Sequence, residues 1–181
     1  MAEIKIHFSG RYLGICERDN WEYATRTNAS AVAVLVPVTD QDELILVEQF
    51  RVPVQSMVIE LPAGLVGDLD DADESIITAA HRELEEETGY RAGKLTLLLS
   101  CPSSPGMSDE TISIFLAEDL IKVGPGGGDG NEQIKVHTVP VDQVSEWLAE
   151  MMKMGKLVDP KTYSALFWLA RRKAGLPPLP A

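Results

Sequence analysis

Residues 82–90 read Arg-Glu-Leu-Glu-Glu-Glu-Thr-Gly-Tyr, and this segment constrains the fold more than any other part of the chain. Apolar residues at positions 76, 77, 80 and 84 recur at helical spacing, which predicts an amphipathic helix. Gly89 is expected to end this helix, because glycine adopts the left-handed conformation without Cβ strain. On such a helix Glu83 lies one turn before both Glu86 and Glu87, so the three carboxylates converge on one face.

Convergent carboxylates on a helix need a compensating interaction, because each like-charged pair destabilises an isolated helix by about 0.2–0.5 kcal/mol. A hard cation with oxygen ligands, such as Mg²⁺, would supply it. A plainer interpretation is a solvated acidic face, on which Arg82 and Glu86 form an ordinary ion pair and Asp71 with Glu74 forms a capping box. Both interpretations remain open on this segment alone.

The spacing of these residues resembles the Nudix box, Gx5Ex7REUxEExGU, in which U is a bulky apolar residue. A glutamate stands eight positions before the arginine, and the glycine is followed by an apolar residue. The matching positions are Glu74, Arg82, Glu83, Leu84, Glu86, Glu87, Gly89 and Tyr90. Chance agreement at so many fixed positions is very improbable, so the chain is identified as a member of the Nudix superfamily.

The chain departs from this pattern at the first glycine of the box. That position is Asp68 here, whereas Gly64 follows Leu-Pro-Ala four residues earlier and resembles the true opening glycine. Residues 65–73 then hold four more residues than the strict pattern, which we interpret as a short acidic insertion in the loop before the helix. Glycine at position 64 would let the backbone approach a ligand closely.

The overall composition excludes several classes of partner. A length of 181 residues suits one domain with a full-sized core. The net charge of −12 and a pI near 4.6 argue against binding of nucleic acid, which rewards clustered Lys and Arg. No apolar run approaches transmembrane length and no signal peptide is recognisable, so we expect no membrane partner and a cytoplasmic protein. Cys16 and Cys101 are expected to be reduced thiols in preference to a disulfide.

Hydrophobic periodicity predicts a mixture of strands and helices. Residues 3–27 alternate as an antiparallel hairpin or meander, and residues 124–131, rich in glycine, are expected to form a mobile loop. The other predicted strands are 31–38, 43–50, 57–61, 94–100, 111–118 and 133–139, and the other predicted helices are 142–152 and 160–173. We therefore predict an α+β fold, an α/β/α sandwich of mixed β-sheet with an added N-terminal antiparallel β region, which is also what the Nudix resemblance implies.

We divide the chain into three parts. Residues 1–28 form an N-terminal β-strand region for dimerisation and base binding, residues 29–173 the Nudix domain, and residues 174–181 a Pro-rich tail. Further motifs resemble the ADP-ribose, or ADP-sugar, pyrophosphatase branch of the superfamily. These motifs are Glu48-Gln49-Phe50-Arg51, Glu60-Leu61-Pro62-Ala63-Gly64, the segment 104–110, the segment 132–136 and the segment 158–164.

This resemblance implies Mg²⁺-dependent hydrolysis of the pyrophosphate bond of a nucleoside diphosphate sugar, with ADP-ribose giving AMP and ribose 5-phosphate. The metal ligands would be Glu83, Glu86, Glu87 and the backbone carbonyl of Ala63, and Mn²⁺ would be an alternative to Mg²⁺. Arg82 would belong to the catalytic centre by orienting these glutamates. Glu74 either pairs with Arg82 or caps the helix.

The resemblance also implies a general base and a set of substrate contacts. Glu132, which follows the glycine-rich loop, matches the base of this branch, with Asp129 in reserve; the plain alternative is a solvated strand start. The implied substrate-binding residues are Trp21, Arg26, Arg51, Met107 and Glu110. Trp21 would stack on adenine, often across a dimer interface in this family, so we expect a homodimer. Core packing of Trp21 and a surface ion pair of Arg51 are the alternatives.

Other functions stay open at this point. The chain could take a different Nudix substrate, such as GDP-mannose, another NDP-sugar, a dinucleoside polyphosphate or an oxidised nucleotide. It could be a Nudix-fold module that binds a nucleotide without turnover, although such modules typically lose the box glutamates. Finally, the acidic helix could hold a structural metal ion with no substrate at all.

Overall fold

The computed structural model describes residues 3–67, 73–128 and 133–176. The strands are β1 (Lys5–Ser9), β2 (Leu13–Arg18), β3 (Trp21–Arg26), β4 (Ala31–Pro37), β5 (Glu43–Arg51), β6 (Ser56–Glu60), β7 (Ala63–Val66), β8 (Tyr90–Pro102), β9 (Thr111–Lys122), β10 (Lys135–Pro140) and β11 (Leu157–Val158). The helices are α1 (Ile76–Thr88), α2 (Val144–Lys153) and α3 (Pro160–Lys173), with 3₁₀ turns at Val52–Val54 and Val141–Gln143.

The N-terminal strands β1, β2 and β3 form an antiparallel meander, as predicted. Asp19 and Asn20 make the second turn with φ angles of 53° and 64°. This left-handed conformation suits the tight hairpin turns whose twist matches that of the strands. The meander contacts the rest of the chain through Ala24, whose N–H donates to the carbonyl of Met107 over 2.8 Å.

The strand β4 lies inside a four-stranded sheet of order β7-β4-β9-β8. This interior position explains why its sequence is apolar without interruption. Ala33 and Leu35 point to the face covered by α1, where they pack with Leu84. Val34 and Val36 point to the opposite face and belong to a second, larger core. A strand buried on both faces reads as a continuous apolar run, because neither face meets water.

The second core lies between this sheet and the sheet of order β10-β5-β6-β11, together with α2 and α3. Leu46 of β5, Leu148 of α2 and Trp168 of α3 are buried in it. Helices therefore lie on the outside of mixed β-sheet, and the predicted α+β fold is confirmed.

Two strands were not predicted. Leu65 and Val66, assigned to the loop before the helix, belong to β7, which pairs with Ala31–Val34. The two-residue β11 pairs in parallel with β6. Both are too short to show periodicity and exist because a longer neighbouring strand offers its edge. Most of the acidic insertion, residues 68–72, and the end of the Pro-rich tail, residues 177–181, lie outside the described residues.

The described part of the glycine-rich segment, residues 124–128, is hydrogen-bonded to the end of α1, and its predicted mobility stays a prediction. The N–H of Gly127 donates to the carbonyl of Glu87 over 2.8 Å, and that of Gly128 to the carbonyl of Glu86 over 3.1 Å. A Cβ on Gly126, whose φ is 69°, would lie 2.4 Å from the backbone carbon of Thr88. Glycines are thus required for the segment to reach the carbonyls that a helix end leaves without partners.

Both cysteines are free thiols, as expected, and Cys16 is buried. Within residues 3–67, 73–128 and 133–176, none of the helices has the length and apolar character needed to cross a membrane.

Candidate active site

A cleft of about 320 Å³ opens beside α1 and is lined by residues from the N-terminal sheet, both four-stranded sheets, α1 and α3. Its wall combines cations with carboxylates. The charged residues are Arg26, Arg51, Lys161, Glu60, Glu83, Glu87 and Glu110. Three cations and four carboxylates therefore face one volume.

The helix α1 supplies the buried carboxylates of this cleft. Ser75 caps its start, where the Ser75 hydroxyl accepts a hydrogen bond from the N–H of Thr78 over 3.1 Å. Glu83 and Glu87 lie one turn apart and are only 9% and 3% exposed. Glu86 is exposed and does not line the cleft, although Arg82 Nη1 joins it to Glu83. Two of the three predicted helix ligands therefore line the cleft.

Both buried carboxylates press against the start of β7. The N–H of Ala63 donates to Glu87 Oε2 over 3.1 Å. A Cβ on Gly64 would lie 1.7 Å from Glu83 Cδ, so only glycine leaves room for this carboxylate. The close approach that we predicted for Gly64 is therefore an approach to Glu83.

The guanidinium of Arg82 donates hydrogen bonds to the glutamates around it. Its Nε and Nη2 donate to the two oxygens of Glu74 over 3.1 and 3.2 Å, and its Nη1 donates to Glu83 Oε1 over 2.6 Å. Nη1 also donates to Glu86 Oε2 over 3.3 Å, and Nη2 to the carbonyl of Leu65 over 3.1 Å. Arg82 therefore contacts Glu74, Glu83 and Glu86, and its predicted role of orienting the helix carboxylates stays a prediction.

These contacts decide the open role of Glu74. Glu74 pairs with Arg82 and accepts a hydrogen bond from the N–H of Gly67 over 3.0 Å, whereas the helix cap is Ser75. The capping-box interpretation for Glu74 is thus wrong, and its proposed partner Asp71 lies outside the described residues. The hydrogen bond from Arg82 lowers the pKa of Glu74, against the smaller effect of burial. Burial by itself would lower the pKa of Arg82, but Glu74 and Glu83 raise it above its usual value.

The donor set fits a hard divalent cation. Glu83 and Glu87 offer carboxylate oxygens at the cleft, which are the ligands that Mg²⁺ and Mn²⁺ prefer. Burial of two like charges one helical turn apart is costly unless an opposite charge compensates it. Arg82 compensates part of this charge from the side of Glu74, and a cation in the cleft would compensate the rest.

The cations of the cleft are each paired with a carboxylate. Arg51 forms a two-pronged pair with Glu60, with Nε–Oε1 and Nη2–Oε2 distances of 2.7 Å each. Arg26 Nε donates to Glu110 Oε1 over 2.5 Å. The structure therefore places the predicted substrate residues Arg26, Arg51 and Glu110 together.

Two other predicted substrate residues lie outside this cleft. Trp21 is 63% exposed and its Nε1 donates to the carbonyl of Gly106 over 3.3 Å, so it is not a core residue. Met107 is 68% exposed on the neighbouring loop. Glu132 and Asp129, the predicted base and its alternative, lie outside the described residues.

Sequence reasoning did not assign a role to two charged residues of the cleft. Glu60 belongs to the Glu-Leu-Pro-Ala-Gly motif, and Lys161 belongs to the segment 158–164, both of which were noticed as motifs. The two motifs therefore gave a signal for Glu60 and Lys161. The motifs could not show that both side chains line one cleft, because this depends on how β6 and α3 meet.

We predict that Gly64→Ala weakens binding of a divalent cation about 10- to 100-fold, the range typical of a disturbed ligand environment. The added methyl group would occupy the position of the Glu83 carboxylate. The fold should persist, because the added methyl group meets the far end of a flexible side chain, which can shift. The affinity is measured by titration with Mn²⁺, followed by the electron paramagnetic resonance of the free ion.

Gly124→Ala is the matched control for this experiment, because a Cβ on Gly124 meets no atom within 4 Å. It should bind Mn²⁺ as the unmodified protein does. Unchanged Mn²⁺ affinity of Gly64→Ala would show that Glu83 is not a ligand.

Comparison with known proteins agrees with the geometry of the cleft. A sequence model of the NUDIX domain matches residues 29–161. The chain is 38% identical to the ADP-ribose pyrophosphatase of Bacillus subtilis over 145 residues, which cover 80% of this chain and 74% of that protein. It is 31% identical to the methanol dehydrogenase activator of Bacillus methanolicus over 175 residues, 92% of this chain and 90% of that protein.

A solved structure described as an ADP compounds hydrolase has a TM-score of 0.72 and 25% sequence identity, and the match covers 96% of this chain and 92% of that chain. Members of the family generally use divalent metal ions, in agreement with the donor set of α1. The family match covers most of the chain and includes both β7 and α1, which carry the buried carboxylates. The chain therefore belongs to the NUDIX domain family and is a Nudix hydrolase.

Proposed function

We propose that this protein hydrolyses the pyrophosphate bond of a nucleoside diphosphate sugar in the presence of Mg²⁺, with ADP-ribose as the leading substrate and AMP and ribose 5-phosphate as products. The observation that carries this proposal is the cleft itself, where the buried Glu83 and Glu87 face three cations. The names of the relative in B. subtilis and of the solved structure, an ADP-ribose pyrophosphatase and an ADP compounds hydrolase, support the choice of substrate.

The charges of the cleft favour a metal ion and a diphosphate together. Carboxylates exceed cations by one in the wall, so a diphosphate entering alone would meet a net negative charge. A divalent cation would reverse this sign and give the wall a net positive charge, which favours binding of the diphosphate. Binding of the two ligands should therefore be mutually favourable.

Mg²⁺ would be held by Glu83, Glu86, Glu87 and the carbonyl of Ala63, with Mn²⁺ as a substitute. When bound, it neutralises phosphate charge and lowers the pKa of a bound water. The described contacts support the following roles for the protein's own residues. Arg82 orients Glu83 and Glu86 by charge-assisted hydrogen bonds, and the N–H of Ala63 fixes Glu87.

The diphosphate would be bound by the arginines of the cleft. Glu60 holds Arg51 in one orientation through two hydrogen bonds, so little side-chain freedom is lost when substrate binds. Glu110 holds Arg26 through one hydrogen bond to its Oε1, and its second oxygen would be available to a sugar hydroxyl. Rigid positioning of the reacting phosphates is a large part of catalysis in phosphoryl transfer.

A general base must take a proton from the attacking water, and we assign this role to Glu132, with Asp129 as the alternative. Support comes from the segment just before them. Residues 127 and 128 are hydrogen-bonded to the carbonyls of Glu87 and Glu86, so the chain that leads to Glu132 starts from the helix that would bind the metal.

We further propose a homodimer built on residues 1–28, in which Trp21 stacks on the base. The N-terminal sheet exposes large apolar side chains that a soluble monomer rarely groups together. They are Ile4, Ile6, Phe8, Tyr12, Leu13, Ile15 and Trp21. The expected cytoplasmic location stays a prediction.

A second candidate function is activation of a dehydrogenase. It is favoured by the relative from B. methanolicus, which is named as a methanol dehydrogenase activator and matches over 92% of this chain. Addition of the protein to a methanol dehydrogenase assay would test it, and an unchanged rate would exclude this function for that enzyme.

We predict that ADP-ribose is hydrolysed faster than GDP-mannose, UDP-glucose, a diadenosine polyphosphate or a nucleoside triphosphate, each supplied with Mg²⁺. Glu87→Gln should lower kcat by at least about a hundredfold with the fold intact, because it removes the charge of a metal ligand. Chromatographic analysis of the products measures both. If another diphosphate is hydrolysed fastest, the chemistry stands and the substrate is wrong.

Glu85→Gln is the matched control for that substitution. Glu85 lies on the same helix but pairs with Arg91 at the surface, with an Nη2–Oε2 distance of 2.8 Å. It should keep nearly full activity. No turnover of any compound by the unmodified protein would favour a module that binds nucleotides without hydrolysis.

We predict that Glu132→Gln lowers kcat by two or more orders of magnitude and leaves Mn²⁺ affinity unchanged, because a general base contributes about 10²–10⁴-fold to the rate. Asp129→Asn is measured in parallel as the alternative base. If Mn²⁺ affinity of Glu132→Gln falls as much as its kcat, Glu132 is a metal ligand and not the base.

We predict a dimeric mass in light scattering at working concentration, and a monomeric mass for Ile6→Glu. Ile6 lies in β1 and is 66% exposed. Ile121 on β9 is exposed to the same extent and gives the matched control Ile121→Glu, which should remain dimeric. A monomeric unmodified protein would refute the homodimer.

A further inference from the structure

We propose that Lys161, at the start of α3, is a substrate-binding residue whose ammonium group contacts a phosphate oxygen of the diphosphate. This inference rests on the proposed function and names a further residue of the same cleft. It concerns a side chain to which the sequence analysis gave no role.

Lys161 is held at the cleft by its own helix cap. Asp159 is the N-cap residue of α3, and its Oδ1 accepts the backbone N–H of Lys161 over 2.8 Å. Its Oδ2 lies 2.6 Å from Lys161 Nζ. One carboxylate therefore fixes both the backbone and the side chain of Lys161.

The start of α3 is itself fixed to β6, which forms part of the cleft wall. Val158 pairs with Ile59 of β6, and the N–H of Asp159 donates to the carbonyl of Ile59 over 2.9 Å. Ile59 is followed by Glu60, the partner of Arg51. Lys161 and Arg51 are consequently carried by elements that are joined through β6, whereas Arg26 belongs to β3 and pairs with Glu110.

The ion pair with Asp159 does not use all the hydrogen-bond donors of the Lys161 ammonium group. An ammonium has three N–H donors, and the pair with Asp159 uses one of them. Lys161 is about three-quarters buried, so a further contact would form in a site where water competes weakly. A lysine acts as a compact point charge towards phosphate, which complements the planar forks of Arg26 and Arg51.

A purely structural role predicts something different. The cap of α3 needs only the backbone N–H of residue 161, which every residue except proline supplies. Replacing Lys161 by Met keeps this hydrogen bond and the aliphatic stem and removes only the charge. A residue that merely stabilises α3 would therefore alter thermal stability, whereas a phosphate ligand would alter affinity for anions.

The test measures binding without turnover. The probe is the α,β-methylene analogue of ADP-ribose with Mg²⁺, in which carbon replaces the bridging oxygen, and the affinity is measured by calorimetry. We expect Lys161→Met to raise the Kd about tenfold to a hundredfold, the range for loss of a hydrogen bond to a charged group. Lys161→Arg should restore the affinity to within about threefold of the unmodified protein, since the charge is retained.

Lys173→Met is the matched control, because Lys173 lies in the last turn of the same helix and is exposed. Its Kd should equal that of the unmodified protein. Thermal unfolding of all variants shows whether the fold persists. An unchanged Kd for Lys161→Met, or the same loss in Lys173→Met, overturns the proposal.

Inorganic pyrophosphate with Mg²⁺ serves as a second probe and separates this inference from the choice of substrate. It carries the diphosphate charge without base or sugar. If the unmodified protein does not bind the ADP-ribose analogue, the proposed substrate is wrong. Weaker pyrophosphate binding by Lys161→Met would still support the role of Lys161 in that case. Equal pyrophosphate binding by both proteins refutes that role.

Discussion

The close packing of the Glu83 carboxylate on the backbone of Gly64 is the contact on which the rest of this site depends. It requires a glycine at the start of β7, since a Cβ there would overlap the carboxylate. It also requires that a buried negative charge be compensated, because burial of an unpaired carboxylate is too costly for a marginally stable domain. Arg82 meets part of this requirement, and it is in turn held by Glu74. The acidic face of α1 is thus tolerated as one member of a network and not as an isolated feature.

Backbone N–H groups of glycine residues hold the helix α1 at both ends. At its start Glu74 accepts the N–H of Gly67 while binding Arg82. At its end Gly127 and Gly128 donate to the last carbonyls. A helix held in this way cannot shift along its axis without breaking several hydrogen bonds. Such rigidity suits a ligand set whose positions must hold to within a fraction of an ångström.

Much of this arrangement could be predicted from the sequence. The helix, its glycine end and its carboxylate face follow from a local pattern, as does the doubly buried β4. The contacts of Glu74 could not be predicted, because a glutamate near a helix start is compatible with both a cap and an ion pair, and the choice depends on Ser75 and Gly67. β7 was missed because four residues that include glycine become a strand only when β4 offers its edge.

The pairing of every cleft cation with its own carboxylate bears on selectivity. Arg26, Arg51 and Lys161 are each held by an acidic partner, so none of them presents an unscreened charge to passing anions. A singly charged anion would gain little from such a wall, because each cation already has a partner of comparable strength. A diphosphate that arrives with a divalent cation gains from the cations and from Glu83 and Glu87 at once. On the proposed function, a ligand that brings the anion and the cation together would therefore use more of the charges in this wall than either would alone.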